Sequence, residues 1–128
     1  MIFGVGTDIV EIARIARALD RWQERFAAKI LSDDEINFFG NRVLNPGLIA
    51  RQFAAKEAVS KALQTGMRKG VHFRNIVVLR ASTGAPQVTL TDSAQLLAYG
   101  QCIEKIHLSI SDEKDYAIAY AVAECGAD

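Results

Sequence analysis

Four polar residues, Glu57, Ser60, Lys61 and Gln64, follow one another at i, i+3, i+4 and i+7, which on an α-helix makes a single row. A carboxylate with an ammonium one turn further on has two uses. On a solvated face Glu57 and Lys61 form a favourably oriented ion pair worth roughly 0.3 kcal/mol. In a binding site the carboxylate holds a hard divalent cation while the ammonium meets phosphate oxygens. One carboxylate is a poor magnesium site, so the second use needs another. Asp8 is the candidate, at the end of a short apolar segment (Ile2, Phe3, Val5) where a strand is expected to give way to a helix starting near Val10 or Glu11. Capping that helix is the competing use of Asp8. A third set is basic: Arg14, Arg17, Arg21 and Arg25 recur at intervals of three, four and four. In a continuous helix they align on one stripe, which is either a solvated face or a docking surface for an acidic partner.

These groups need rigid elements beneath them. The stretch Arg51 to Gly66, RQFAAKEAVSKALQTG, reads as a helix of Ala, Lys, Glu, Leu and Gln, with Gly66 as its stop. Ala54, Ala55, Ala58, Val59, Ala62 and Leu63 form an apolar stripe of mostly small side chains, so the helix can lie close to a neighbour. Residues 11–30 read as a second helix, with a break expected near Asp20; Ile12, Ile15, Ala16, Leu19, Trp22, Phe26 and Ile30 mark its apolar side. Ser32 and Glu35 have the spacing of a capping box for a short helix ending near Phe39, and Asn45-Pro46-Gly47 signals a turn into the long one.

Beyond Gly66 come a basic loop and a β-branched strand at residues 73–80. A turn through Gly84-Ala85-Pro86 leads to a strand over 87–90. A helix follows from Thr91 or Asp92 to about Gly100, with Ala94, Leu96, Leu97 and Tyr99 expected to be partly buried. The last element is a hairpin of residues 106–111 and 116–123. The order describes one α+β domain over residues 1–128, its helices on one side of a largely antiparallel sheet.

The totals agree with a globular protein: 128 residues, half of them hydrophobic, 23% charged and zero net charge. That balance argues against general nucleic-acid binding, although residues 14–29 carry five bases against two acids, a local +3. Cys102 and Cys125 show no zinc spacing and read as reduced thiols of a cytoplasmic protein. No apolar run approaches the roughly eighteen residues of a membrane span.

Three stretches, GVGTDIVEIARI (4–15), QFAAKEAVSKALQTG (52–66) and HLSISDEKDYAIAYAV (107–122), with Gly84-Ala85-Pro86 between them, closely resemble the holo-[acyl-carrier-protein] synthases. These are the short bacterial 4'-phosphopantetheinyl transferases. The resemblance runs over essentially the whole chain and implies transfer of the 4'-phosphopantetheine arm of coenzyme A to a serine of apo acyl carrier protein, in support of fatty acid biosynthesis. It implies Mg2+ held by Asp8 and Glu57, catalysis by Glu57 and Lys61, and coenzyme contacts from Ser60, Lys61, Gly66 and Pro86. It also implies carrier docking on Arg14, Arg17, Arg21 and Arg25, and a homotrimer with active sites between subunits. The base for the serine proton stays open between Glu57, a metal-bound water and another group, with activated water preferred to Lys61.

Three positions depart from the family's usual pattern. Gln64 replaces a glycine in G-T-G, Gln52 replaces a basic residue before Phe53, and Asp112 stands where many members have His. All three are expected to touch the coenzyme pocket, with His107, Arg51, Lys69 and Arg74 as substitute contacts for its 3'-phosphate. Two other functions fit the same residues: a magnesium-dependent phosphotransferase with another acceptor, and a non-catalytic carrier-binding module.

Overall fold

The computed structural model describes residues 1–126. It begins with β1 (Ile2–Glu11), which runs straight into α1 (Ile12–Trp22), followed by α2 (Glu24–Ile30) and α3 (Asp33–Phe39). The long central helix, α4, spans Pro46–Ala62. Strands β2 (Ile76–Arg80) and β3 (Pro86–Leu90), helix α5 (Asp92–Gly100) and the hairpin β4 (Ile103–Asp112) and β5 (Tyr116–Cys125) complete the chain. The α+β class holds, but the strands form two antiparallel sheets: β1-β5-β4 and β2-β3. No helix among the described residues is long and apolar enough to cross a membrane.

α4 starts five residues earlier than its composition suggests. Asn45 accepts from the Leu48 amide at 2.9 Å, and Pro46, which lacks an amide hydrogen, takes the first turn where none is needed. At the other end the amides of Thr65 and Gly66 return to the Ser60 carbonyl at 3.3 and 3.1 Å, with Gly66 at φ +61°. The break between α1 and α2 falls at Gln23 (φ 48°), three residues past Asp20. Ser32 and Glu35 form the expected capping box at the head of α3. On α5, Ala94 is buried, but Leu96 and Tyr99 are exposed, because that helix turns its Ala94–Ala98 side inward.

The core is the seam between α4 and the three-stranded sheet. Ala54, Ala55, Ala58, Val59, Ala62 and Leu63 of α4 are all buried. Opposite them on β5, strand alternation brings Ala117, Ala119, Ala121 and Ala123 to one face. β1 comes closer still. A Cβ on Gly6 would lie 2.0 Å from the Ala58 carbonyl oxygen, and one on Gly4 would lie 2.3 Å from that of Ala62. Backbone rests on backbone, so β1 and α4 have one permitted spacing.

Candidate active site

Asp8 is two residues beyond Gly6, so the pleat returns its side chain to the α4 side of β1, in register with Ala119. It is not a helix cap. β1 continues to Glu11, which is itself the N-cap of α1 and makes no side-chain cap bond. From α4, Lys61 reaches across the seam and donates to the Thr7 carbonyl at 2.9 Å and to Asp8 Oδ1 at 3.3 Å. Glu57, one turn before Lys61, is half-buried. Burial pushes its carboxyl above the ordinary glutamate range and the charge of Asp8 pushes the same way, against the opposing pull of Lys61. The first strand and the central helix therefore bring together the two carboxylates and the lysine.

That donor set fits a hard cation. Two carboxylates that repel one another in a partly buried setting are relieved by positive charge, and both offer only oxygen. Among the described residues no cluster of three or more His, Cys, Asp or Glu is assembled. At this seam Asp8 and Glu57 are the two residues that could contribute oxygens to such a cation.

Ser60 does not join them. Its side chain is fully buried and its hydroxyl donates to the Glu57 carbonyl at 2.7 Å, which places this position in the core of the chain. Gly66 is accessible at the end of α4, and Pro86 opens β3 in the second sheet, paired with Arg80.

The arginines divide at Gln23. Arg14, Arg17 and Arg21 are exposed on α1, with Arg17 paired to Glu11 at 3.7 Å, while Arg25 belongs to α2. The bend nevertheless gathers Arg21 and Arg25 around Trp22, their guanidinium carbons 4.9 and 5.5 Å from its ring centre. Trp22 is 45% exposed rather than part of the apolar side.

The three departures also resolve. Gln52 is buried and donates to Glu35 Oε2 at 2.9 Å and the Val78 carbonyl at 3.0 Å, so it lies in the core. Gln64 has a left-handed backbone (φ 64°), held by its side-chain bond to the Phe3 carbonyl at 3.0 Å; a glycine would adopt that conformation without strain. Asp112 faces Arg51 at 3.5 Å. Among the substitute phosphate contacts, Arg51 is thereby engaged, His107 meets Glu124 at 2.9 Å, and Arg74 binds Asp33 and the Leu31 carbonyl. Lys69 alone of the four makes no ion pair among the described residues.

One pairing escaped the sequence reading altogether. Lys56, fully buried, meets Glu35, also fully buried. The signal was available: Lys56 and Gln52 lie on the same helical row as Val59 and Leu63, at i, i+4, i+7 and i+11. Polar side chains on a core row need buried partners.

The chain that forms this seam, with two carboxylates and a lysine at a helix–strand junction, matches a described family. Residues 4–121 match the model of the 4'-phosphopantetheinyl transferase superfamily, and the chain belongs to that family. More particularly, it is similar to the holo-[acyl-carrier-protein] synthase of Vibrio cholerae serotype O1, 47% identical over 124 residues, covering 97% of this chain and 98% of that one. The Clostridium kluyveri protein of the same name is 48% identical over 124 residues, with 97% and 91% coverage. Among solved structures, the Neisseria meningitidis synthase superposes with a TM-score of 0.88 at 39% identity, covering 97% of this chain and 99% of that one. The Helicobacter pylori synthase, in complex with coenzyme A, gives 0.82 at 35% identity, with 94% and 99% coverage.

Proposed function

We propose that this chain is a holo-[acyl-carrier-protein] synthase. It transfers 4'-phosphopantetheine from coenzyme A to a serine hydroxyl of apo acyl carrier protein and releases adenosine 3',5'-bisphosphate, supplying fatty acid biosynthesis in the cytoplasm. The observation that carries this reading is the meeting of Asp8, Glu57 and Lys61 at the β1–α4 seam, in a chain with near-full-length synthase relatives.

Asp8 and Glu57 would hold Mg2+, which when bound would supply charge neutralisation for the coenzyme pyrophosphate. Lys61 stands beside them with half its side chain accessible and its ammonium anchored on the Thr7 carbonyl, placed to donate to a phosphoryl oxygen as negative charge shifts during transfer. Glu57 is placed to draw the serine proton through an intervening water. Lys61 acts as a hydrogen-bond donor, not as the base.

Arg14, Arg17, Arg21 and Arg25 form the carrier-docking surface, with Trp22 an apolar contact between the last two. Guanidiniums steer an acidic partner despite the zero net charge, because steering follows the local field. The enzyme works as a homotrimer with coenzyme pockets shared between subunits, Gly66 and Pro86 lying in their walls. Supporting this is the outer face of the three-stranded sheet, where Val5, Ile9, Tyr116, Ile118 and Tyr120 are 43% to 61% exposed. A continuous apolar patch of that kind is a usual subunit contact.

The test is a mass spectrum of apo acyl carrier protein after incubation with this protein, coenzyme A and Mg2+, beside an EDTA control. A metal-dependent gain of one phosphopantetheine is expected. No gain, with carrier and coenzyme proven competent by another transferase, refutes the reading.

A further inference from the structure

Lys56 immediately precedes Glu57 and is the largest fully buried side chain among the described residues. Its ammonium donates to the Ile30 carbonyl at 2.6 Å, to the Phe73 carbonyl at 2.9 Å and to Glu35 Oε1, so all three hydrogens are used. Glu35 also accepts from the amide and hydroxyl of Ser32, from Gln52 Nε2 and from the Val78 amide. One carboxylate thus joins the head of α3, two successive turns of α4 and the middle of β2.

Stability explains this cluster poorly. Replacing a buried ion pair with well-packed apolar groups is often neutral or stabilising. Its geometry suggests another use. The glycines of β1 fix how near α4 lies to the sheet, but a smooth alanine seam offers little resistance to rotation of the helix about its axis. Gln52 and Lys56, at i and i+4, end on the same carboxylate; turning α4 breaks both bonds together. Glu57 is the residue next to Lys56, and Lys61 lies one turn beyond Glu57, so their direction follows that rotation. With side-chain tips roughly 6 Å from the helix axis, a turn of about 10° moves the Glu57 carboxylate by about 1 Å.

We propose that the Lys56–Glu35–Gln52 cluster is a positioning device that fixes the rotational setting of α4 and so aims Glu57 and Lys61 at Asp8. The proposal rests on the magnesium-dependent transfer argued above. None of the three residues touches substrate; they act through the helix.

The test compares wild type with the double variant Lys56→Met/Glu35→Gln, which leaves no buried charge, and with Gln52→Met, which keeps the ion pair and removes one anchor. Three quantities are read for each: Tm with and without saturating Mg2+ and no coenzyme, the Mg2+ concentration for half-maximal turnover, and kcat. The double variant is expected to melt cooperatively while its Mg2+-induced rise in Tm shrinks. Its half-saturating Mg2+ should increase at least about fivefold, and its kcat should fall on the order of 10- to 100-fold, the penalty of an ångström-scale misplacement. A cooperatively folded double variant with wild-type Mg2+ response and kcat overturns the proposal. If the double variant does not melt cooperatively, Gln52→Met decides: a raised Mg2+ requirement at near-normal Tm supports the clamp, and unchanged kinetics overturn it. If wild-type turnover survives EDTA and Mg2+ leaves its Tm unmoved, the magnesium reading fails instead. The clamp is then judged by kcat alone, on the same thresholds.

Discussion

Replacing Gly6 with alanine puts the spacing of the active-site seam to a direct test. The added Cβ would lie 2.0 Å from the Ala58 carbonyl oxygen, 2.7 Å from the Ala62 nitrogen and 2.8 Å from Lys61 Cβ. Two of these are backbone atoms of α4, so no rotamer change relieves the contact. Reaching even the 3.0 Å that real Cβ contacts almost never undercut requires strand and helix to separate by about 1 Å, and misplacement of that size costs on the order of 100-fold in rate. Overpacking adds about 1–3 kcal/mol of destabilisation, or roughly 4–12 °C in Tm for a chain of this size. Asp8 is two residues from the substitution and is carried away from Glu57 and Lys61 with the strand. The assay is carrier modification at saturating coenzyme A and Mg2+, with Tm measured in parallel. Gly100→Ala is the control: its Cβ meets nothing within 4 Å, so Tm should hold or rise and activity should not change. A Gly6→Ala enzyme with wild-type Tm and kcat would refute the close-contact argument.

Glu57→Gln should cut Mg2+-dependent turnover on the order of 100-fold or more while the fold survives; normal activity at ordinary Mg2+ removes Glu57 from the site. The same variant should also raise the Tm of the metal-free protein near neutral pH. A carboxyl whose folded pKa is raised contributes stability at low pH and loses it as pH climbs from the unfolded value through the folded one, and an amide escapes that loss; a lower Tm at neutral pH counts against it. On the proposed assignment, Mg2+ displaces from Glu57 a proton held more tightly than by an ordinary glutamate. The half-saturating Mg2+ concentration should therefore begin to rise on acidification while the pH is still above the usual glutamate range, and a flat profile there contradicts the assignment. Arg14→Glu should raise the KM for carrier protein several-fold more than that for coenzyme A; equal effects on both place docking elsewhere.

Periodicity made much of this legible. The alanine row of α4, the capping box at Ser32 and the terminal hairpin are short-range patterns, and each folds as its spacing predicts. What sequence could not resolve depends on contacts between distant segments. β1 was expected to end at Asp8 because glycine and aspartate resemble a strand terminus, yet pairing with β5 carries it on to Glu11. Ser60 reads as one of a polar row, but a small hydroxyl can satisfy itself on the preceding turn and be buried. Leu96 and Tyr99 look half-buried by type and prove exposed, since only the alanine side of α5 has a neighbour. Asp8, Glu57 and Lys61 were found by residue type and family resemblance. That they meet follows from the glycines at 4 and 6, a reason visible only once the helix is seen lying on them.

The pairing of the first strand with the last has a consequence for how the enzyme comes into being. Thr7 and Ala119, hydrogen-bonded through the Thr7 hydroxyl, are 112 positions apart in the chain. On a ribosome adding about 5–20 residues per second, the strand bearing Asp8 waits roughly 6–20 s for its partner to be made. Through that interval its edge is open, and the seam that seats the two carboxylates has no floor. Contacts of such sequence separation also slow folding after release. A nascent or truncated chain without β5 would carry Asp8, Glu57 and Lys61 and still lack an active site, so activity appears only with the finished polypeptide.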